Sequence, residues 1–134
     1  MNKTVLCVSA WEPEIAPLRR RLRRGRAGEQ LAVDHVTALG WRIIERNWRC
    51  NVGEIDIVAH DQDCLVFAEV KTRTRVGFGH PFEAITSAKM QKMRQLVGEW
   101  CRAHEIASVQ VRLDAISVLL TSGRVQIEHL KQVF

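Results

Sequence analysis

The chain has 134 residues, which is enough for one domain with a single core and too few for a second enzyme domain. Its net charge of +5 is uneven, because residues 1–27 hold seven Lys or Arg against two Glu, whereas residues 28–134 hold thirteen charges of each sign. We therefore expect a basic N-terminal arm over residues 1–27 that faces an anionic partner, and one domain over residues 28–134 that is not a uniformly basic surface.

Membrane and disulfide-rich classes of protein are disfavoured. The apolar run at residues 5–8 is too short for a signal-peptide core, and no other segment is long enough to span a bilayer. The four cysteines show no C-x-x-C spacing, which is typical of reduced structural thiols. We expect a cytoplasmic protein that does not associate with membranes.

The arm ends in a run of arginines that suits binding to nucleic acid. Ile15, Leu18 and Leu22 fall on one helical face before and within this run, which would suit a short basic amphipathic helix. A flexible leader with solvated arginines explains the same pattern equally well. The candidate phosphate-binding side chains are Arg20, Arg21, Arg23 and Arg24.

The first helix is predicted over residues 28–39. Ala32, Val33, Val36 and Leu39 form its apolar stripe, and Gly40 supplies a left-handed stop. Glu29 belongs to the same stripe. Its carboxylate would either point inward toward a site or complement the helix N-terminus from the first turn.

A mixed sheet is predicted for the rest of the chain. Three strands at residues 41–48, 54–60 and 64–73 should form an antiparallel meander. A helix from Thr86 or Ser87 to about His104 would then lead by a parallel crossover to strands at residues 109–120 and 124–130. The order αβββαββ indicates an α/β fold with helices packed on a mixed sheet.

Charged residues interrupt two of these apolar strands. Asp56 lies in the second strand, while Glu69 and Lys71 close the third and share one of its faces, about 7 Å apart. Asp56 and Glu69 are hard oxygen ligands for Mg²⁺ or Mn²⁺, and the Val70 carbonyl could complete the protein's share. Lys71 could then orient or deprotonate a water molecule, or hold a phosphate as a point charge.

A structural interpretation of the same residues is equally concrete. Glu69 and Lys71 could form a same-face ion pair, with Asp56 bonded to Arg49 or Arg73. An isolated E-x-K tripeptide favours that interpretation. Lys89, at the border of the second helix's apolar stripe, could likewise extend into solvent or reach the acidic residues.

A series of short motifs, in order from residue 28 to about residue 120, resembles the YraN family of bacterial proteins. They are Gly28-Glu29-x-x-Ala32, Asn47-Trp48-Arg49, Gly53-Glu54-Ile55-Asp56, Phe67-Ala68-Glu69-Val70-Lys71-Thr72-Arg73, Phe78-Gly79-x-Pro81-x-Glu83-Ala84, Lys89 and Leu113-Asp114-Ala115. That family is similar to the restriction-endonuclease-like PD-(D/E)xK nucleases, which include archaeal Holliday-junction resolvases. Ile55 stands where the wider pattern has proline.

The resemblance implies an αβββαβ core with a metal at the acidic site. Asp56 and Glu69 would be metal ligands, Lys71 the catalytic lysine and Glu29 a further acid, with Arg73 and Lys89 contacting phosphate. The implied function is a Mg²⁺- or Mn²⁺-dependent endonuclease acting on DNA, including structured or branched DNA. A nucleic-acid-binding protein without catalysis is the alternative, and a homodimer would suit cleavage of both strands.

Asp114 receives no catalytic role. It shares a strand face with Arg112, and we expect a structural ion pair between them.

Overall fold

The computed structural model describes residues 2–9, 27–73, 85–121 and 124–133. These residues form a mixed α/β structure. In chain order its elements are β1 (Asn2–Ser9), α1 (Ala27–Ala38), β2 (Arg42–Arg49), β3 (Glu54–Asp61), β4 (Cys64–Arg73), α2 (Ser87–Ala103), β5 (Gln110–Thr121) and β6 (Arg124–Lys131).

The strands make one six-stranded sheet in the order β1-β6-β5-β4-β3-β2. Strands β4 and β5 pair in parallel, and the other neighbours pair antiparallel. This confirms the predicted α/β fold, its antiparallel meander and its parallel crossover through α2. The succession α1-β2-β3-β4-α2-β5 is the αβββαβ order of a restriction-endonuclease-like core.

Strand β4 is central and is buried on both faces. Val66 and Ala68 belong to a core cluster that includes residues of α1, while Leu65 and Phe67 belong to a second cluster that includes residues of α2. The alternation of side chains along a strand explains this division. Because both faces of β4 are covered, charged side chains at its far end lie beside two layers of packed structure.

The helix boundaries follow local signals. Thr86 caps α2, since its Oγ1 accepts a hydrogen bond from the Lys89 amide at 3.2 Å. After α1, Gly40 adopts a φ of 95°, the left-handed conformation expected of a helix stop. Neither described helix is long and apolar enough to cross a bilayer.

Strand β1 differs from the predicted arm. Asn2–Ser9 pairs antiparallel with β6 along its whole length and so forms one edge of the sheet. The run Val5-Leu6-Cys7-Val8 is rich in strand-favouring residues, whereas β6 would otherwise be an open edge. The other residues predicted to act in this segment, Arg20, Arg21, Arg23 and Arg24, lie outside the described residues, as does the loop at residues 75–81.

A buried polar network joins β5 to its neighbours and includes the predicted ion pair. Arg112 Nε donates to Asp114 Oδ1 at 2.9 Å, and Arg112 Nη1 donates to Asp61 Oδ2 at 2.9 Å. His129 Nε2 lies 2.8 Å from Asp114 Oδ2, and His129 Nδ1 lies 3.1 Å from Nε2 of His35 on α1. The network links β3, β5, β6 and α1, which confirms a structural role for Asp114.

Candidate metal centre

Strands β3 and β4 part next to Asp56. Their paired ladder ends at Ile57 and Ala68. Beyond that point the Val70 amide donates a 2.8 Å hydrogen bond to Asp56 Oδ2. The carboxylate therefore holds a position between the diverging strands and is oriented by a main-chain donor.

A close contact between α1 and β4 brings Glu29 to the same place. Gly28 is buried, and a Cβ added to it would lie 1.9 Å from Thr72 Oγ1 and 2.7 Å from Thr72 Cβ. Only a residue without a side chain permits that approach. The first turn of α1 can thus rest directly on β4, with the Glu29 carboxylate near Asp56.

Three carboxylates converge there. Glu29, Glu54 and Asp56 each offer an oxygen, these atoms lie within 4.8 Å of one another, and each residue is half-buried. Glu54 also forms an ion pair, in which its Oε2 lies 3.0 Å from Nε of Arg49. The Arg49 side chain is largely exposed. Carboxylate oxygens are the donors that Mg²⁺ and Mn²⁺ prefer, so this trio could hold a divalent metal ion.

The electrostatics of Asp56 fit such an ion. The pKa of Asp56 is raised to about 7, chiefly by burial; the Val70 amide opposes this rise, and the charges of Glu29, Glu54 and Glu69 add to it. A carboxyl group in this state carries negative charge only at a cost. A divalent cation would remove that cost, because it neutralises the repulsion among the acids.

Glu69 has a different partner. Its Oε1 lies 2.7 Å from Nζ of Lys89 on α2, and both side chains are about a third exposed, at 30% and 33%. Lys71 is exposed on the same strand. Arg73 is half-buried, and its Nε has no hydrogen-bond partner within the described residues.

The structure brings some of the predicted site residues together and pairs others elsewhere. Asp56 and Glu29 come together, and Glu69 is near enough to raise the pKa of Asp56 while it is paired with Lys89. The contact of Val70 with the site is through its amide, so the proposed ligand set of Asp56, Glu69 and the Val70 carbonyl stays a prediction.

Glu54 was absent from the predicted ligands. Its position in the sequence could have identified it. Glu54 lies two residues before Asp56, and residues i and i+2 of a strand share a face.

Comparison with known proteins places this centre in a family. A family described as "Uncharacterised protein family UPF0102" matches residues 28–118, well over half of the chain. The chain belongs to the UPF0102 family. This confirms the resemblance to the YraN family. The matched residues of this chain include the three carboxylates of Glu29, Glu54 and Asp56. They also include Glu69, Lys71 and Lys89, whereas the arginines of the arm precede the match.

Several bacterial UPF0102 proteins are similar over most of their length. One from Arthrobacter sp. (strain FB24) is 49% identical over 110 residues, covering 81% of this chain and 93% of the relative. One from Paenarthrobacter aurescens (strain TC1) is 50% identical, covering 81% and 91%. A third, from Renibacterium salmoninarum, is 46% identical, covering 85% and 98%.

Proposed function

We propose that this protein is a metal-dependent nuclease that hydrolyses phosphodiester bonds in DNA, including structured or branched DNA. The observation that carries the proposal is the convergence of Glu29, Glu54 and Asp56 where β3 and β4 diverge. Two lysines, Lys71 and Lys89, lie on the neighbouring strand and helix. Carboxylates beside ammonium groups suit a phosphodiester, whose cleavage needs an activated water and relief of negative charge.

Two of the carboxylates that would hold Mg²⁺ or Mn²⁺ are each oriented by a different neighbouring group. Glu29, Glu54 and Asp56 would bind the ion, which when bound supplies Lewis-acid stabilisation of the phosphate and a more acidic water. The Val70 amide fixes the orientation of Asp56, and Arg49 holds Glu54. Such supporting contacts keep ligands in place for the reaction.

Lys71 is the proposed catalytic lysine. It lies two residues after Glu69 on β4 and is exposed, so its ammonium is accessible to a substrate phosphate. There it would act as a point charge on the scissile group or exchange a proton with the attacking water. Arg73, whose buried Nε has no partner within the described residues, would add a phosphate contact at the end of the same strand.

Cleavage assays test this function directly. Duplex, flap, four-way-junction and single-stranded DNA are incubated with Mg²⁺ or Mn²⁺ and wild type, Asp56→Asn or Lys71→Met. We expect each substitution to lower the cleavage rate by about 100-fold or more, since each removes a group that acts on the reacting phosphate.

Asp34→Asn is the matched control. Asp34 is an exposed carboxylate on α1 that accepts a hydrogen bond from Gln30, and its loss should leave the rate unchanged. Equal cleavage by wild type, Asp56→Asn and Lys71→Met would overturn the nuclease proposal.

A nucleic-acid-binding protein without catalysis is the second candidate. The Glu69–Lys89 ion pair favours it, because that pair removes one acid from the potential ligands, and the net charge lies wholly in residues 1–27. This candidate predicts salt-sensitive DNA binding that needs no metal and survives Asp56→Asn. Binding of that kind, with no cleavage of any of the four DNAs, would replace the nuclease proposal.

A further inference from the structure

A buried polar contact holds the last turn of α1 on the sheet. Nε2 of His35 lies 3.1 Å from Nδ1 of His129 on β6, and the two rings meet edge to face with their centroids 5.2 Å apart. Only 5% of His35 and none of His129 is exposed. Because polar groups are costly to bury without a partner, the packed position of α1 depends on this contact.

The apolar packing of α1 is modest, which increases the weight of its polar contact. Its buried apolar side chains are small, namely Ala32, Val33 and Val36. The first turn rests on β4 through Gly28, and the last turn rests on β6 through His35. The helix is therefore located by one close contact near each end.

The imidazole of His129 is itself held from behind. Its Nε2 lies 2.8 Å from Asp114 Oδ2, and Arg112 donates to both oxygens of that carboxylate at 2.9 and 3.0 Å. Arg112 also donates to Asp61 on β3. His129 is thus a fixed part of the sheet, and the contact sets the place of His35 and of the helix that carries it.

The same helix carries one of the three carboxylates. Glu29 lies six residues before His35, about 9 Å along the helix axis. We infer that His35 and His129 are positioning residues for Glu29, because the one proton that their facing nitrogens can share holds α1 on the sheet. A seated α1 in turn keeps Glu29 beside Glu54 and Asp56. The inference rests on the proposed metal centre.

The contact accepts only one proton between its two nitrogens. Whichever ring donates, the facing nitrogen of the other ring has to accept, so two imidazolium rings would set one N–H against another. Burial, together with the charges of His129 and Lys131, lowers the pKa of His35 to about 4, which agrees with this limit. Acid should therefore release the last turn of α1.

Other charged groups surround the pair on several elements. Lys131 on β6 faces His35, and behind His129 lie Asp114, Arg112 and Asp61 of β5 and β3. On the exposed side of α1, Gln30 donates to Asp34 and accepts from Arg46 of β2.

Mn²⁺ affinity, measured by calorimetry on the full-length protein at about pH 7.5, tests the effect on Glu29. We expect His35→Ala to weaken binding by roughly 10-fold. His35→Gln, whose amide can still bond to His129, should bind nearly as wild type does. In a Glu29→Gln background His35→Ala should cause no further loss, since both changes act through one ligand.

Val97→Ala is the matched control for lost packing. Val97 packs against the core cluster on the α2 side of the sheet, so its truncation should leave the Mn²⁺ affinity unchanged. Circular dichroism checks that each variant is folded.

A pH profile isolates the shared proton. The carboxylates titrate in wild type and in His35→Gln alike, so the ratio of the two affinities removes their contribution. Between about pH 7.5 and about pH 5 the affinity of wild type relative to His35→Gln should fall by up to roughly 30-fold. That limit follows from a histidine pKa of 6.5 in a released helix and of about 4 in the packed one.

The outcomes separate this inference from the metal centre. Three results would overturn the positioning role while the centre stands: wild-type affinity in His35→Ala, an equal loss in both backgrounds, or an affinity ratio that is constant with pH. If Glu29→Gln binds no Mn²⁺, the comparison of His35→Ala with His35→Gln and the pH profile decide. Absence of Mn²⁺ binding by wild type would overturn the centre and this inference together.

Discussion

His35 is a buried residue whose protonation state follows from its hydrogen bonds. His129 Nε2 lies 2.8 Å from the Asp114 carboxylate, and His129 Nδ1 lies 3.1 Å from Nε2 of His35. Nδ1 of His35 is buried without a hydrogen-bond partner in the described part of the chain. A proton added to His35 would therefore be enclosed and would gain no acceptor there.

These surroundings predict a pH-dependent stability. Burial, together with the charges of His129 and Lys131, lowers the pKa of His35 to about 4. The unfolded chain takes up a proton near pH 6.5 while the folded protein does not, so stability is lost as pH falls from about 6.5 to about 4. His35 contributes up to about 3 kcal/mol to this loss.

Denaturant unfolding of wild type and His35→Gln between pH 4 and pH 7.5 measures that contribution. Gln keeps an amide group that can hydrogen-bond to His129 but cannot titrate, so the difference in free energy of unfolding between the two proteins should narrow as pH falls toward 4. A difference that stays constant over this range would contradict the assignment.

The sequence predicts some residues of the candidate metal centre better than others. Asp56 could be predicted, because an acid within an apolar strand demands a partner, and the structure provides the Val70 amide. The pairing of Glu69 with Lys89 rather than Lys71 could not be predicted, because it depends on where α2 packs against the sheet. Spacing along a strand shows which side chains share a face, but tertiary packing decides which charges touch.

At the scale of elements, local signals predict the helices and inner strands well. Caps and stops lie within the chain itself: Thr86 begins α2, and Gly40 follows α1. Strand β1 was obscured, because its short apolar run lies in a segment dominated by arginines and its pairing with β6 joins opposite ends of the chain. Pairing at such sequence separation leaves no local signal.

The contact of α1 with β4 is the element-level feature on which the centre most depends. Gly28→Ala would place a Cβ 1.9 Å from Thr72 Oγ1 and 2.7 Å from Thr72 Cβ, so the first turn of α1 must shift and carry Glu29 away from Asp56. We expect the free energy of unfolding to fall by about 1–3 kcal/mol. We also expect weaker Mn²⁺ binding, measured by calorimetry.

Gly98→Ala is the matched control, since a Cβ there meets nothing within 4 Å. Gly98 lies inside α2, where alanine should stabilise the helix by roughly 0.5–1 kcal/mol and leave Mn²⁺ affinity unchanged. If Gly28→Ala binds Mn²⁺ as tightly as Gly98→Ala, the close approach does not position Glu29.

For the whole molecule, the net positive charge lies in residues 1–27, whereas residues 28–134 carry none. The family match begins at residue 28, and residues 28–134 hold equal numbers of acidic and basic residues. A long-range attraction for an anionic polymer would therefore come from residues 1–27. Because Asn2–Ser9 is a strand of the sheet, deletion of the whole segment would damage the fold as well as remove the arginines.

Substitution of arginines within the segment avoids that damage. For each phosphate of duplex DNA that the protein ceases to neutralise, the slope of log affinity against log salt becomes shallower by about 0.9. Arg20→Gln with Arg21→Gln should therefore reduce the slope by up to about 1.8, and the further changes Arg23→Gln and Arg24→Gln should bring the reduction to about 3.6. Fluorescence anisotropy with labelled duplex DNA between roughly 50 and 200 mM salt, with metal omitted, measures the slope.

The control pair removes the same charge from the folded domain. Arg102 and Arg124 are exposed at the end of α2 and the start of β6, and Arg102→Gln with Arg124→Gln should leave the slope nearly unchanged. If the slope fell by as much as it does for Arg20→Gln with Arg21→Gln, the total charge, rather than its placement in the arm, would govern binding. The arginines would then have no special role, and the DNA would be held by the surface around the carboxylates instead.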